Sequence, residues 1–307
     1  LPKRLGIIGA GPIGCEMAQA FALFGSEVHL VESSDRILPR EDPDAAAVVE
    51  ASMKRDGVSL LCCGKDLQLA KTDSGILMNG TSADASYQHE VDELLVAVGR
   101  APNVEGLGLE KIGVDFDRKG IKVNDNLRST NPKVFAAGDV CSPYQFTHAA
   151  DFMARAVIQN ALFKGRAKVS SLTIPWCTYT APELAHVGLN PHDAADQGIQ
   201  IDTYEQPLGE NDRAILEGED DGFVRIHTKR GSGQIVGATI VAANAGDMIS
   251  EITMAITNGL SLKQIASTIH PYPSQADAIR RVGDHFNRTR LTPTVASLFK
   301  RWLSWTR

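Results

Sequence analysis

Three groups of residues in this chain of 307 have types and spacings that can do chemistry. The first is Gly9-Ala10-Gly11-Pro12-Ile13-Gly14, a G-x-G-x-x-G turn, with Glu32 eighteen residues beyond Gly14. In such a turn the first glycine permits a tight bend and the second lets backbone approach a pyrophosphate. The third lets a helix close onto its strand. The helix that follows offers unpaired N–H groups and a partial positive charge to phosphates, and a carboxylate placed like Glu32 can hydrogen-bond a ribose diol. That carboxylate would repel a 2′-phosphate, which favours NADH; Arg36 or Arg40 would be the residues to recruit NADPH instead. A purely structural glycine turn is the competing reading in a chain with 27 glycines.

The second group is His270, Tyr272 and Asp277, within eight residues. An imidazole titrates near neutral pH, whereas a phenol with a pKa of ~10 is a poor neutral base but a good hydrogen-bond donor. The alternative is that these residues simply close an interface. The third group is the thiols Cys15, Cys62, Cys63, Cys141 and Cys177, which form no C-x-x-C and no metal-ligand spacing. Cys62-Cys63 are vicinal but end an apolar strand, so they read as buried structural thiols. An odd, scattered set fits a reducing cytosol, which predicts a cytoplasmic protein.

The elements around the glycine turn supply the context it needs: a strand at 4–8, a helix at 15–24, and a strand at 27–31 running into Glu32. A helix at 44–55, a strand at 58–62, a hairpin region at 76–93 and an apolar strand at 94–98 follow. Gly99-Arg100-Ala101-Pro102-Asn103 closes that last strand. Near Lys122 a different unit begins, with a strand at 133–137 that breaks at Gly138-Asp139 and a helix at 146–163. Beyond a polar linker at 164–171, strands at 172–179, 200–206, 222–227 and 234–240 precede helices at 245–258 and 262–267. Strands grouped before helices indicate an α+β layer. The whole reads as α/β.

A formal charge of -6 argues against a nucleic-acid partner. No apolar run approaches the ~18 residues that span a bilayer. The balance is uneven, because Arg280, Arg281, Arg288, Arg290, Lys300, Arg301 and Arg307 face a single acid, Asp284, in the last stretch. Val295, Leu298, Phe299, Trp302 and Leu303 recur there at helical spacing. Such a helix could lie on an anionic membrane surface, or pack on its own subunit or across a dimer.

Four separated motifs resemble the class I pyridine nucleotide–disulfide oxidoreductases, the glutathione reductase and dihydrolipoamide dehydrogenase family. They are residues 9–16, residues 98–103, residues 134–140, and residues 179–188 continued by 245–249. The resemblance implies a Rossmann-type NAD(P)-binding domain at 1–122 and the returning part of an FAD domain at 123–168. An α+β dimerisation domain would occupy 169–307. It implies FAD and NAD(P)H as cofactors and a homodimer in which each site is completed by the partner subunit. Cofactor-binding roles fall on Gly9, Gly11, Gly14, Glu32, Gly99 and Gly138. Asp139 would face the ribityl or phosphate region of flavin, Thr147 and His148 its ring, and Glu16 the nicotinamide.

The family's disulfide reductases carry a His-Pro with a Glu that orients the His. Alignment on Pro273 puts Tyr272 at that His and Asp277 at that Glu, with His270 two residues upstream. Tyrosine there resembles the mercuric reductase-like branch, although the vicinal cysteines expected at the C-terminus are not in this sequence, which ends Ser304-Trp305-Thr306-Arg307. The family's first glycine motif and its Cys-x4-Cys would precede Leu1. On this reading the stretch alone should not turn over. A hydride would pass from nicotinamide to FAD and on to a disulfide or metal centre. The alternatives are a flavin-free nucleotide-binding and dimerisation module, and a dihydrolipoamide dehydrogenase-like enzyme.

Overall fold

A computed structural model describes residues 1–306; Arg307, counted above with the basic stretch, lies outside them. The chain divides into two compact units, one made of residues 1–98 and 175–306 and the other of 99–174.

The larger unit opens with β1 (Arg4–Ile8), α1 (Pro12–Leu23), β2 (Glu27–Val31), α2 (Pro43–Arg55) and β3 (Val58–Leu61). Three antiparallel strands follow, β4 (Lys65–Lys71), β5 (Ile76–Ser82) and β6 (Ala85–Val91), before the chain returns as β7 (Glu93–Val96). The main sheet is parallel, in the order β3-β2-β1-β7, so β1 is central and the turn after it emerges mid-sheet. Leu5 and Ile7 of β1, Val28 and Leu30 of β2, and Cys15 and Ala18 of α1 form its core. Pro12 sits at the first turn of α1, where its missing N–H costs nothing.

The smaller unit is built on little regular structure: a two-stranded ribbon, β8 (Phe116–Asp117) with β9 (Gly120–Ile121), and one long helix, α3 (Thr147–Leu162). Ala149, Met153 and Ala156 of α3 bury against Leu127. The strand expected at 133–137 is absent. Arg128 and Phe135 make one isolated bridge within a tight reversal in which the Ser129 N–H donates to the Val134 carbonyl. Residues 99–122, expected with the first domain, pack in this unit instead.

The larger unit resumes with β10 (Pro175–Thr178), β11 (Glu183–Gly188), α4 (Pro191–Asp196), β12 (Ile201–Pro207), α5 (Asp212–Glu217), β13 (Phe223–Lys229) and β14 (Ile235–Ala242). It ends with α6 (Ala245–Thr257), α7 (Leu262–Ser267), α8 (Asp277–Thr289) and α9 (Pro293–Thr306). The five strands form an antiparallel sheet ordered β10-β11-β14-β13-β12. Alternate residues bury to opposite sides. Ala185, Val187, Ala238 and Ile240 pack beneath Ile249, Ile252, Ile279 and Val282 of α6 and α8. Leu184, Phe223 and Val241 join the core of β1, α1 and α2.

Polar contacts lock the same seam. The Gln19 side chain gives an N–H to the Ala181 carbonyl and takes the Ala181 N–H, both at 2.8 Å. Arg225, on β13, reaches Asp42, Asp44 and Glu205. Among the described residues no helix is long and apolar enough to cross a membrane.

Candidate functional site

The glycine turn joins the C-terminal end of β1 to the N-terminus of α1. A Cβ on Gly14 would lie 1.9 Å from the Gly9 carbonyl oxygen, so helix and turn touch backbone to backbone. A Cβ on Gly11 would meet nothing within 4 Å. The third glycine therefore makes the fold possible, while the second leaves an open approach. Gly11 caps α1 without a side-chain hydrogen bond, and the first turn carries no acid, so its N–H groups are available to an anion.

Glu32 closes the other side of the turn. Its Oε2 accepts the Ala10 N–H at 2.8 Å, and its Oε1 accepts the Ser34 N–H at 2.8 Å and the Ser33 hydroxyl at 3.1 Å. Partial burial opposes its charge, yet these donors outweigh burial and hold the carboxyl below its ordinary range. Glu32 is thus an ionised group fastened to the glycine turn itself, with lone-pair capacity left on Oε2. The sequence gives no sign of this bond to Ala10. Arg36 is committed to its own loop, to Asp35 at 3.3 Å and to the Pro39 carbonyl at 3.2 Å. Glu16, expected near a nicotinamide, accepts the Tyr179 N–H at 2.8 Å and so ties α1 to the loop after β10.

Cys62 and Cys63 lie beside this loop, and the Cys63 N–H donates to the Ser34 carbonyl. They are half-buried rather than buried, and burial raises the Cys62 thiol to about 11, which keeps it a poor nucleophile.

In the smaller unit Gly138 and Asp139 form a 3-10 turn. Asp139 pairs with Arg100 at 3.6 Å, next to Gly99, and Arg100 also donates to the Gln145 carbonyl at 3.3 Å. Thr147 and His148 open α3, whose N-terminus carries no side-chain cap and no first-turn acid. These expected flavin-facing residues therefore share one unit, with a half-exposed carboxylate and the start of a helix that carries no acid in its first turn. The arrangement can accept sugar hydroxyls and cradle phosphate.

The 269–277 segment departs from the expected pairing. Tyr272 is 72% exposed, and its phenol donates to Asp212 Oδ2 at 2.8 Å. Asp277 does not orient it. Asp277 is buried at the start of α8 between Arg280 Nε at 2.7 Å and Arg281 Nε at 2.8 Å. Burial disfavours that carboxylate, but the two guanidiniums win and keep its pKa low. The physical reason is proximity: arginines three and four residues ahead on the same helix face reach Asp277 directly. His270 is likewise engaged elsewhere, with Nε2 3.1 Å from both Glu251 oxygens on α6 and Nδ1 3.1 Å from the Thr268 carbonyl. It anchors the segment to α6. Asp212 and Glu251 were invisible in the sequence pattern because they lie 60 and 19 residues from their partners. Among the described residues no group of three or more His, Cys, Asp or Glu is placed to hold a metal.

Residues 1–154 match the family described as pyridine nucleotide-disulphide oxidoreductase, and residues 174–282 match its dimerisation domain. A mercuric reductase of Streptomyces lividans is 34% identical over 287 residues, covering 93% of this chain and 60% of that protein. A dihydrolipoyl dehydrogenase of Thermus scotoductus is 32% identical over 291 residues, covering 94% and 63%. Among solved structures, LpdA from Mycobacterium tuberculosis aligns with a TM-score of 0.86 at 30% identity, covering 93% of this chain and 62% of the other. The HOCl-induced flavoprotein disulfide reductase RclA from Escherichia coli aligns at 0.84 and 27%, covering 92% and 65%. The chain thus spans about 60% of the length of these relatives.

Proposed function

Because the chain belongs to the pyridine nucleotide–disulphide oxidoreductase family, we propose that it supplies the nicotinamide-binding, flavin-contacting and dimerisation parts of an FAD- and NAD(P)H-dependent oxidoreductase. The observation that carries this is the glycine turn, open at Gly11, uncapped at α1 and closed by an ionised Glu32. Residues 1–98 would bind the dinucleotide, with its pyrophosphate on the α1 N-terminus and a ribose hydroxyl on Glu32 Oε2. NADH is favoured, because Glu32 is charged and Arg36 is spent on its own loop. Asp139, Thr147 and His148 would hold flavin from the smaller unit.

Bound together, nicotinamide and flavin supply hydride transfer, which continues to a disulfide or metal-ion acceptor. At Tyr272 this chain offers a phenol where a disulfide reductase needs an imidazole base. That residue supports the mercuric reductase-like reading over a dihydrolipoamide dehydrogenase-like one, although relatives of both names align. A homodimer would place Tyr272 at the partner's flavin. The odd number of scattered thiols, free in the structure, supports a reducing, cytoplasmic setting.

Two measurements on the purified chain test the reading. Titration with NADH and NADPH should give the tighter binding to NADH, and equal affinity would remove Glu32 from the ribose site. An absorption spectrum after incubation with FAD and desalting should retain a flavin band in any preparation that shows NADH-driven turnover. A colourless protein that still binds NADH and dimerises would fit either a stretch without the family's first glycine motif or the flavin-free module, and leaves nucleotide binding and dimerisation as the functions to measure on it.

A further inference from the structure

Helix α9 (Pro293–Thr306) has no buried residue along its 14 positions. Among the described residues it therefore buries no side chain fully against the rest of the chain. Leu298, Phe299, Trp302 and Trp305 are all more than half exposed, and Leu303 nearly so. At 3.6 residues per turn, Val295, Ala296, Leu298, Phe299, Trp302, Leu303 and Trp305 fill an arc about 180° wide, interrupted only by Thr306 at the helix end and far broader than the seam of a coiled coil. Pro293, Thr294, Ser297, Lys300, Arg301 and Ser304 fill the opposite arc, and Lys300 and Arg301 fall at its two borders. From His285 to Thr306 there is no acidic residue, while Arg288, Arg290, Lys300 and Arg301 are basic.

We propose that α9 lies lengthwise on an anionic lipid surface. A half-cylinder of large apolar side chains can sink to the acyl boundary while cations at both edges extend to headgroup phosphates. Two tryptophans on the apolar side suit the interface, where an amphipathic ring is at home. At ~1.5 Å per residue the helix is about 21 Å long, enough to lie along a surface and too short to cross a ~30 Å hydrocarbon core. A second copy of the chain is the other occupant to weigh. The region matching the dimerisation domain ends at residue 282, before α9 begins. Another exposed apolar patch, around Ile269 and Tyr272, already lies within that region.

The test is co-sedimentation of the whole purified chain with phosphatidylcholine vesicles, with and without about a third phosphatidylglycerol, alongside light scattering of the protein alone. Expected are binding to the anionic vesicles only, weakening with salt, and a blue shift of tryptophan emission. Replacing both Lys300 and Arg301 with Gln should weaken binding on the order of 30-fold, the effect of two cations near a charged leaflet. Phe299→Ser with Trp302→Ser should abolish binding and leave the oligomeric state unchanged. Equal binding to neutral and anionic vesicles, or none to either, overturns the proposal. So does vesicle binding that survives the Phe299/Trp302 pair, or a dimer that dissociates in it, which would show that a second copy covers this face.

Discussion

Gly11 and Gly14 are three residues apart and should fail in opposite ways. Gly14→Ala drives a methyl group into the Gly9 carbonyl, and backbone cannot yield there. We expect loss of several kcal/mol of stability, as for overpacked cores at their worst, and a chain that melts far below the parent. Gly11 has an ordinary extended backbone, φ -73 and ψ -177, and open space beside it. Gly11→Ala should stay within about 1 kcal/mol of the parent yet lose NADH binding, because the methyl group occupies the approach to the turn. Calorimetry with NADH, beside a thermal melt, reads both; undiminished NADH affinity in Gly11→Ala would take the pyrophosphate away from this turn. Tyr272 carries a second prediction at this scale. Its hydrogen bond to Asp212 raises the phenol above its ordinary pKa. Asp212→Asn should bring the phenol back down in an ultraviolet difference titration blanked with Tyr272→Phe, whereas Asp277→Asn should leave it nearly in place. If Asp277→Asn gives the larger shift, the pairing expected from the motif is the right one and the Asp212 contact is incidental.

The loop from Glu32 to Asp42 is an element in its own right, since it runs from the glycine turn to the antiparallel sheet. The Leu38 N–H donates to the Ala10 carbonyl, and the Trp176 indole donates to Glu41 Oε1 at 2.8 Å. The Thr239 hydroxyl donates to Asp42 at 3.2 Å. Burial, against the help of the indole, raises Glu41 to about 7. A carboxyl raised in the folded state holds its proton better there than when unfolded. Its contribution is full below about pH 4.5 and lost as pH rises through 7. His227, pushed down to about 4 by burial, has the opposite sign: its stability is lost as pH falls from about 6.5 toward 4. The two slopes offset in the parent. The melting temperature of the parent relative to Glu41→Gln should therefore isolate Glu41, falling from pH 5 to pH 8 by the equivalent of about 2.5 kcal/mol. A difference flat with pH would mean Glu41 stays ionised in the fold. This loop also shows where sequence reading stops. β1, β2 and α7 were legible to the residue because periodicity and turn residues mark both ends. β11 was not read as a strand because Leu184, Ala185 and Val187 are buried on both faces, which erases the alternation that identifies a half-exposed strand. β4 alternates over only four residues, Asp66-Leu67-Gln68-Leu69, and stays mostly exposed, which is too short a signal to mark a strand. α8 was not legible because its few apolar residues are spaced among eight charged or polar ones. The site followed the same rule: Gly9, Gly11, Gly14 and Glu32 stand in one local pattern, whereas Asp212 and Glu251 meet their partners only through the tertiary fold.

At the scale of the whole molecule, the dimerisation region leaves several large apolar side chains exposed. His270 ties its segment to Glu251, and one turn further along α6 Met254 is 58% exposed. Tyr272 ties the same segment to Asp212, whose helix presents Ile215 and Leu216 three and four residues on, the latter 76% exposed. Ile269, at 94% exposure, immediately precedes the first of these two anchors. The hydrogen bonds from His270 and Tyr272 thus fix an otherwise irregular segment so that it presents an isoleucine and a tyrosine beside the apolar tips of two helices. In a two-fold dimer such a patch meets its own copy, and each residue counts twice. Ile269→Asp would then bring two carboxylates into one desolvated centre. Dimer affinity should fall at least 30-fold, the level of an interface hot spot, while the monomer keeps its melting temperature because the side chain touches almost nothing within its own subunit. Sedimentation equilibrium across protein concentrations measures this directly. A parent chain that is monomeric at micromolar concentration, or a dimer indifferent to Ile269→Asp, would move the contact elsewhere and with it the proposal that Tyr272 serves the partner's flavin. A dimer that weakens with Ile269→Asp but not with substitutions in α9 would assign the two exposed apolar surfaces to different partners.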